Sequence, residues 1–287
     1  IVTGAGRGIG REHALLFARE GAQVVVNDLG GSPDGTGADA SPAEQVVAEI
    51  QAFGGEAVAN HDNVADADGA DRLVQQAIDT YGALHVLVNN AGILRDKMVF
   101  SMSDEEWDAV VHVHLRGHFL PTRAAARYWR QRSKDGDPLK ASIINTTSTS
   151  GLLSNPGQTN YGAAKSGIAT FTEICQKELW RYGVRANAIA PAARTRLTEG
   201  LGVGTPPPDG FDPMAPDNVS PMVAYLATEN CPIGGKVFFV FGGSVQLFQP
   251  WTIVDKISND QKWTVDGLAE QAAKWGEVTF DQSLSMD

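Results

Sequence analysis

The sequence predicts an α/β fold in which a doubly wound, parallel, seven-stranded sheet carries helices on both faces and is followed by a C-terminal extension. One observation and one general rule lead to this prediction. Short apolar runs rich in β-branched residues alternate with segments of helical pattern along residues 1–243. Such alternation is typical of parallel sheets whose crossover helices cover both faces. Because these crossovers are right-handed, the sheet is expected to be doubly wound.

The elements are read from the apolar runs and the turn residues that close them. The predicted strands are residues 1–2, 23–27, 56–60, 84–88, 142–146, 185–189 and 236–241. The predicted helices are residues 11–20, 42–53, 67–81, 104–132, 160–182 and 221–228. Ligands of doubly wound sheets bind beyond the carboxyl ends of the strands, so the chemistry is expected at that edge.

Two segments depart from the alternation. Residues 29–41 form a glycine-rich loop, and residues 195–220 hold three consecutive prolines with no strand or clean helix. Long irregular stretches inside a compact domain are commonly functional, so residues 195–220 are the predicted substrate lid. The sequence thus divides into a catalytic domain, residues 1–243, and an extension, residues 244–287.

Composition narrows the classes of protein. The chain has 287 residues, of which 43% are hydrophobic and 20% charged, as in an ordinary globular protein. A net charge of −11 disfavours a broad nucleic-acid-binding face, and no apolar run approaches the ~18 residues of a membrane span. The two cysteines, Cys175 and Cys231, suggest a reducing compartment. No export signal is visible, and a cytoplasmic protein is expected.

A glycine-rich turn, TGAGRGIG, joins the first predicted strand to the first helix. Gly4 permits a tight turn, Gly8 lets the backbone approach a phosphate, and Gly10 allows close helix–strand packing. The helix N-terminus supplies free N–H groups and a positive dipole for a pyrophosphate. Strand, turn and helix together predict a Rossmann-like dinucleotide site, with contacts from Gly4, Arg7, Gly8, Ile9 and Gly10.

A carboxylate at the end of the second strand bears on the choice of cofactor. Asp28 follows Gly10 by eighteen residues, where it can accept both adenosine ribose hydroxyls and repel a 2′-phosphate. Arg7 argues the other way, since a cation in the glycine turn can meet a 2′-phosphate. Asp28 would abut that phosphate directly, so NAD is expected as cofactor and NADP is disfavoured.

Polar residues after the next two strands extend the predicted nucleotide site. Asp62 and Asn63 follow the third strand, and the Asp62 carboxylate can accept the adenine amino group or cap a helix. Asn90, Ala91 and Gly92 follow the fourth strand, where small residues let the backbone lie against a cofactor.

A serine, a tyrosine and a lysine form the candidate catalytic set. Tyr161 and Lys165 are four residues apart and share one helical face. Ser148 lies thirteen residues before Tyr161, at the carboxyl end of the fifth strand. A free tyrosine has a pKa of about 10, which a nearby lysine cation and the cofactor charge are expected to lower. The set predicts alcohol–carbonyl chemistry, with Ser148 holding the substrate oxygen.

At these residues the chain resembles the short-chain dehydrogenase/reductase family over residues 1–243: TGxxxGxG, NNAG, the serine and YxxxK occur in that order. The resemblance implies that Tyr161 is the general acid/base, that Lys165 binds the nicotinamide ribose and lowers the Tyr161 pKa, and that Ser148 polarises the substrate oxygen. It also implies that Thr195, after Pro191, lies beside the nicotinamide. Family members are tetramers or dimers built through the long fourth and fifth helices, so a homotetramer or homodimer is expected.

Two positions depart from the family pattern, and one of them is Pro191-Ala192, which replaces the usual Pro-Gly after the sixth strand. The family's helix-four asparagine, which holds a water relay to the lysine, aligns with His114. His114 is therefore a candidate catalytic residue that anchors a water, with a packed core histidine as the alternative. A metal site at His112, His114 and His118 is disfavoured, because His112 points away from the other two and no further ligand is suitably spaced. No metal is expected.

Within the family, VVVNDLGG, NNAGILRDK, HVHLRGHF and GQTNYGAAK are similar to the (3R)-hydroxyacyl-CoA dehydrogenase module of peroxisomal multifunctional enzyme type 2 and to bacterial single-module relatives. This implies an NAD-dependent dehydrogenase whose substrate is a (3R)-hydroxyacyl-CoA, a fatty or steroid side-chain thioester. Arg95, Lys97, Arg194 and Arg196 are candidates to meet the CoA phosphates, or else solvated surface charges.

Other functions stay open. A 3-oxoacyl-carrier-protein reductase would prefer NADPH, which Asp28 disfavours. A hydroxysteroid dehydrogenase would use the same catalytic set. A nucleotide-binding sensor without catalysis would bind cofactor but turn nothing over, and the intact Ser148, Tyr161 and Lys165 argue against it.

Overall fold

The computed structural model describes residues 1–198, 205–279 and 284. The chain divides into two compact units, Ile1–Leu247 and Phe248–Asp287. The first unit contains the sheet and every candidate site residue. Residues 199–204 of the predicted lid lie outside the described residues.

The first unit is built on a sheet with the order β3-β2-β1-β4-β5-β6-β7-β8. Its strands are β1 (Val2–Thr3), β2 (Val24–Asn27), β3 (Ala57–Asn60), β4 (Val86–Asn89), β5 (Ala141–Thr146), β6 (Val184–Ala192), β7 (Val237–Phe241) and β8 (Ser244–Leu247). Strands β1 to β7 are parallel, and the order reverses at β1, which lies between β2 and β4. A crevice opens at such a switch point, beyond the carboxyl ends of the strands.

The strand count differs from the prediction of seven. Strand β8 turns back after Gly242-Gly243 and pairs antiparallel with β7, with Phe238 opposite Leu247 and Phe241 opposite Ser244. All five residues of β7 are buried, whereas those of β8 alternate between partly buried and exposed. The predicted fold class is confirmed. The additional edge strand, β8, consists of residues that the sequence analysis assigned to the C-terminal extension.

Helices cover both faces of the sheet. They are α1 (Gly8–Arg19), α2 (Ser41–Ala52), α3 (Ala67–Tyr81), α4 (Asp104–Val111), α5 (Gly117–Lys134), α6 (Thr159–Leu179) and α7 (Ser220–Ala227). On one face α1, α2 and α7 bury Leu15, Ile50 and Leu226 against the strands. On the other, α3, α5 and α6 bury Leu73, Trp129 and Cys175. Burial of aliphatic and aromatic side chains at about 25 cal/mol per Å² is the main favourable term in such a core.

The predicted helix 104–132 is two helices joined by a π-turn. Residues His112–Arg116 form this turn between α4 and α5, and the Gly117 N–H donates to His112 O, five residues back, as well as to His114 O. Such a turn holds one extra residue and is frequent at functional sites. The extra residue rotates the side chains that follow it, and periodicity alone does not reveal the change.

The second unit has one α-helix in its described part. Helix α8 (Val265–Ala272) begins after Thr264, whose hydroxyl accepts the Gly267 N–H, and a 3₁₀ turn, Ala273–Glu277, follows it. Trp275 Nε1 donates to Asp255 at 2.8 Å, and Lys274 pairs with the same carboxylate. Among the residues that the structure describes, no helix is long and apolar enough to cross a membrane.

Candidate active site

The glycine-rich turn between β1 and α1 forms one wall of the crevice. Gly4 and Gly8 adopt positive φ angles of 62° and 55°, which only glycine adopts without strain. A Cβ on Gly10 would lie 2.2 Å from Gly4 O, so the helix packs on the turn more closely than any side chain allows. Arg7, the N-cap of α1, makes no side-chain cap bond, so the first-turn N–H groups stay open to an anion.

Thr3 ties this turn to the loop after β4, and the sequence reading did not assign it a role. Its hydroxyl accepts the N–H groups of Asn90 and Ala91 at 3.0 and 3.1 Å. The Asn90 side chain donates to Thr3 O and Gly4 O, both at 3.1 Å. Asn90 therefore holds two loops together with its side chain, which places the Ala91 backbone against the turn. The sequence signal for this role of Thr3 is a threonine at the end of an apolar strand.

Asp28 lies at the end of β2 beside the glycine turn. Its Oδ2 accepts the Gly6 N–H at 2.8 Å and its Oδ1 accepts the Gly30 N–H at 2.6 Å. The carboxylate is thus fixed at the edge of the crevice, with a second lone pair on each oxygen left for a ligand hydroxyl. Arg7 lies near a different acid: the pKa of Asp39 is lowered mainly by hydrogen bonds from Ser41 and to a lesser extent by the Arg7 charge.

Asp62 has protein partners on both carboxylate oxygens. Oδ1 accepts Arg72 Nε at 2.8 Å and Oδ2 accepts Asn60 Nδ2 at 3.0 Å. Asn63 Oδ1 accepts the Ala65 N–H at 2.9 Å and so shapes the entry to α3. These bonds position the loop after β3. If Asp62 also contacts an adenine, its carboxylate has to accept hydrogen bonds from both the adenine and Arg72.

The loop after β6 approaches the glycine turn from the other side. Pro191 lies within β6 and pairs in register with Val240. A Cβ on Gly8 would lie 3.3 Å from the Thr195 methyl group, so Thr195 sits next to the turn. The structure therefore brings Thr195, Gly8 and Asn90 to one edge of the sheet.

Lys165 is the buried cation of the site. Its side chain is 2% exposed, and Nζ donates to Thr146 O, at the end of β5, at 2.6 Å. Burial lowers the pKa of Lys165 to about 7, because the charged form loses its hydration. Nζ lies 5.5 Å from the centre of the Tyr161 ring.

Tyr161 and Ser148 face the crevice together. Burial raises the pKa of Tyr161 to about 12, while a hydrogen bond with Ser148 lowers it and the charge of Asp96 raises it. In the chain alone the pKa of Tyr161 is thus raised, because desolvation of the phenolate is the largest cause. The expected lowering of this pKa also depends on the cofactor charge and stays a prediction.

His114 lies in the π-turn, against Tyr161. The two rings meet edge to face with their centres 5.1 Å apart, and His114 Nε2 is 2.8 Å from Ile93 O and 3.1 Å from Ile93 N. Burial, and next the Lys165 charge, lowers the His114 pKa well below its usual value. Nδ1 is buried without a protein partner, which leaves one nitrogen of a neutral ring for a water.

The four candidate CoA contacts differ in how they are engaged within the chain. Arg95 Nε donates to Asp34 O at 2.8 Å and binds the glycine-rich loop. Arg194 pairs with Asp212 at 2.6 Å, and Arg196 also has a partner. The Lys97 N–H donates to Gly157 O at 2.8 Å, while its side chain is exposed. A contact with CoA stays a prediction for all four residues.

The tight turn at Gly4 and Gly8, the fixed Asp28 carboxylate and the open first-turn N–H groups of α1 fit a dinucleotide. Within the described residues, no group of three or more histidine, cysteine, aspartate or glutamate side chains is placed to hold a metal ion.

Comparison with known proteins agrees with this geometry. The family model for short chain dehydrogenases matches residues 1–201. Hydroxyacyl-CoA dehydrogenase ChsB1 of Mycobacterium tuberculosis is 44% identical over 91% of this chain and 82% of its own length. Peroxisomal multifunctional enzyme type 2 of Mus musculus is 44% identical over 85% of this chain, which corresponds to 31% of that enzyme. The crystal structure of a short chain dehydrogenase from Mycobacterium avium has a TM-score of 0.87 at 49% identity, covering 97% of this chain and 94% of that one.

The chain belongs to the short-chain dehydrogenase/reductase family, and the predicted resemblance is confirmed. It is an oxidoreductase, and its family uses a nicotinamide cofactor, NAD or NADP.

Proposed function

We propose that this protein is an NAD-dependent dehydrogenase that interconverts a (3R)-hydroxyacyl-CoA and the 3-ketoacyl-CoA. The observation that carries the proposal is the grouping of Tyr161, Ser148 and the buried Lys165 ammonium at the same sheet edge as the glycine turn. The thioester class follows from the relatives, among them a hydroxyacyl-CoA dehydrogenase.

Three side chains divide the chemistry. Tyr161 takes the hydroxyl proton of the substrate on oxidation and returns it on reduction. Ser148 donates a hydrogen bond to the same oxygen and orients it toward the phenol. Lys165, held by Thr146 O, binds the nicotinamide ribose and supplies positive charge next to the phenol. Bound nicotinamide supplies the hydride acceptor.

The pKa of Tyr161 sets a requirement for this role. A phenol with a pKa of about 12 is almost entirely protonated at neutral pH, so little phenolate is present to act as a base. Each unit by which the pKa is lowered requires about 1.4 kcal/mol of preferential phenolate stabilisation. Lys165 is half-charged near pH 7 in the chain alone. The positive nicotinamide of NAD⁺ next to both residues would lower the phenol pKa, so we expect Tyr161 to become a base when oxidised cofactor binds.

Asp28 supports NAD over NADP. Its carboxylate is fixed by the Gly6 and Gly30 N–H groups at the end of β2, where it can accept ribose hydroxyls and would repel a 2′-phosphate. The Arg7 charge, which could favour the phosphate, lies close enough to Asp39 to lower that residue's pKa. In this proposal, Asp62 and Asn63 position the adenine, Asn90, Ala91 and Gly92 line the nicotinamide side, and Pro191 and Thr195 close the opposite wall.

The experiment is a turnover assay that follows NADH formation. Purified protein is given NAD⁺ or NADP⁺ with (3R)- and (3S)-hydroxyacyl-CoAs of several chain lengths, a steroid side-chain CoA thioester and free hydroxysteroids. We expect turnover of (3R) thioesters with NAD⁺. Tyr161→Phe is expected to lower kcat by about 100-fold or more, whereas Tyr225→Phe, on the exposed surface of α7, leaves it unchanged.

Three outcomes would contradict the proposal. Turnover of free steroids alone would exclude the CoA thioester, preference for NADP⁺ would exclude the role of Asp28, and binding of NADH without turnover of any substrate would favour a sensor.

A further inference from the structure

Two segments on either side of Tyr161 are joined by backbone bonds. Residues 95–97 follow β4, and residues 155–160 lead into α6. Lys97 and Gln158 form a parallel bridge, in which the Lys97 N–H donates to Gly157 O at 2.8 Å. Asn160 Nδ2 donates to Arg95 O at 3.0 Å. The position of Tyr161 therefore depends on how these two segments meet.

Gln158 links the two segments through its side chain. It is 5% exposed, and its Nε2 donates to Asp96 Oδ2 at 2.7 Å. Its Oε1 accepts Ser150 Oγ at 2.7 Å and Asn155 Nδ2 at 2.9 Å. A buried amide with three partners holds one rotamer, because each lost bond would leave a buried polar atom unpaired.

The chain of hydrogen bonds continues to the candidate catalytic serine. The Ser150 N–H donates to Ser148 Oγ at 3.2 Å. Since the Ser148 oxygen already accepts this bond, its own proton is left to donate to the phenol or to a substrate oxygen. Asp96 is thus connected to Ser148 through Gln158 and Ser150, where Ser150 uses its hydroxyl toward Gln158 and its backbone N–H toward Ser148.

Asp96 also acts on Tyr161 through its charge. The groups that face the phenol are the neutral His114 ring from the π-turn, Lys165 from α6, Ser148 from the loop after β5, and Asp96 from the loop after β4. The Asp96 charge raises the pKa of Tyr161, whereas the hydrogen bond with Ser148 lowers it. The same carboxylate that holds Gln158 therefore bears on the proton affinity of the phenol.

We propose that Asp96 and Gln158 are positioning residues for the proposed dehydrogenase reaction: their hydrogen bond fixes the Ser148 hydroxyl as a donor, and the Asp96 carboxylate sets the pH range in which Tyr161 works. This inference rests on the proposed function. It assigns Asp96 an electrostatic role and Gln158 a geometric one, and the two roles separate by mutation.

Asp96→Asn tests the charge. The amide oxygen still accepts the Gln158 bond, but the negative charge is gone. We expect the rise of kcat/KM with pH for alcohol oxidation to move down by about half a unit, since an exposed charge is partly screened. Asp79→Asn is the matched control, because Asp79 also accepts a glutamine bond at 2.7 Å, from Gln75, on the outer surface of α3.

Gln158→Glu tests the geometry. The glutamate keeps an oxygen that accepts the Ser150 hydroxyl. At the contact with Asp96, however, two carboxylates face each other and repel. We expect kcat to fall about 10-fold with KM for NAD⁺ unchanged. The double variant Asp96→Asn with Gln158→Glu exchanges donor and acceptor, so it is expected to regain most of the lost kcat.

A measurement without turnover separates this inference from the proposed function. The ring carbons of ¹³C-labelled tyrosine are titrated by NMR in the cofactor-free chain, and the Tyr161 signal is assigned with Tyr161→Phe. We expect the Tyr161 pKa to be lower in Asp96→Asn than in the wild type and in Asp79→Asn. An unchanged Tyr161 titration overturns the electrostatic role, and a double variant no more active than Gln158→Glu overturns the geometric one. Absence of wild-type turnover on all substrates would instead contradict the proposed function.

Discussion

At the scale of single residues, Lys165 shows how burial changes the pKa of a candidate catalytic group. Within the described residues its ammonium donates to Thr146 O at 2.6 Å. The side chain is buried away from water. The loss of hydration exceeds what this bond returns, so the pKa falls from 10.5 to about 7. A lysine in this state loses its charge readily, and a cofactor with negative phosphates nearby would restore it.

The low pKa of Lys165 makes stability depend on pH. In the unfolded chain the lysine stays protonated up to its usual pKa, so unfolding takes up a proton between about pH 7 and pH 10.5. Wild-type stability therefore gains from rising pH in that window, and Lys165→Met lacks this gain. Between about pH 6 and about pH 8.5 we expect the stability of Lys165→Met relative to wild type to fall by about 2 kcal/mol, measured by urea unfolding.

The control for this prediction is Lys177→Met, an exposed lysine on the same helix. Its stability difference from the wild type should not change with pH. A pH-independent difference for Lys165→Met as well would mean that Lys165 is charged throughout and that water reaches its ammonium.

At the scale of elements, the π-turn between α4 and α5 decides what surrounds Tyr161. It presents His114 to the loop after β4, where a Cβ on Gly92 would lie 2.3 Å from His114 Cε1. The histidine ring therefore occupies the space that a side chain at Gly92 would need. Gly92 was predicted as a cofactor contact, and its lack of a side chain also serves the packing of His114.

Gly92→Ala is predicted to push His114 away from Tyr161. We expect a loss of stability of about 1–3 kcal/mol, as for other overpacked sites, together with lower kcat. Thermal unfolding and turnover with NAD⁺ measure both effects. His114→Ala in the Gly92→Ala background should recover stability, because it frees the contested space. Gly243→Ala, with nothing within 4 Å of the added Cβ, is the neutral control, and equal unfolding temperatures for the two glycine variants would refute the packing argument.

At the scale of the whole molecule, the edge of the sheet lies beyond the predicted domain boundary. Strand β7 has the sequence VFFVF, and all its residues are buried. Without β8 it would be an unpaired hydrophobic edge, the kind of strand that natural proteins protect because it pairs with other chains. The first compact unit ends at Leu247, after β8.

Two truncations test this boundary. A chain that ends after Leu247 keeps β8, and we expect it to remain monodisperse and to bind NADH. A chain that ends after Gly243 exposes β7, and we expect it to aggregate during expression or on mild heating. Light scattering of the two proteins at equal concentration distinguishes them. If the shorter chain stays as well dispersed as the longer one, β8 is dispensable and the predicted boundary at 243 is adequate.

The sequence by itself determined the alternation of strands and helices, the glycine turn, and the candidate catalytic set of Ser148, Tyr161 and Lys165. These are local signals: backbone preference, apolar periodicity and fixed spacing act over a few residues and do not depend on partners. They also placed the site at the carboxyl edge of the sheet, because parallel strands with right-handed crossovers bring those ends together.

Only the tertiary structure decided the environment of these residues. The partners of Asp62 and Arg95, the link from Asp96 to Ser148, the π-turn under His114 and the pairing of β8 join positions distant in the chain. The raised pKa of Tyr161 and the lowered pKa of Lys165 belong to the same group. Desolvation and hydrogen-bond partners depend on which atoms meet in space, and spacing along the chain does not encode that.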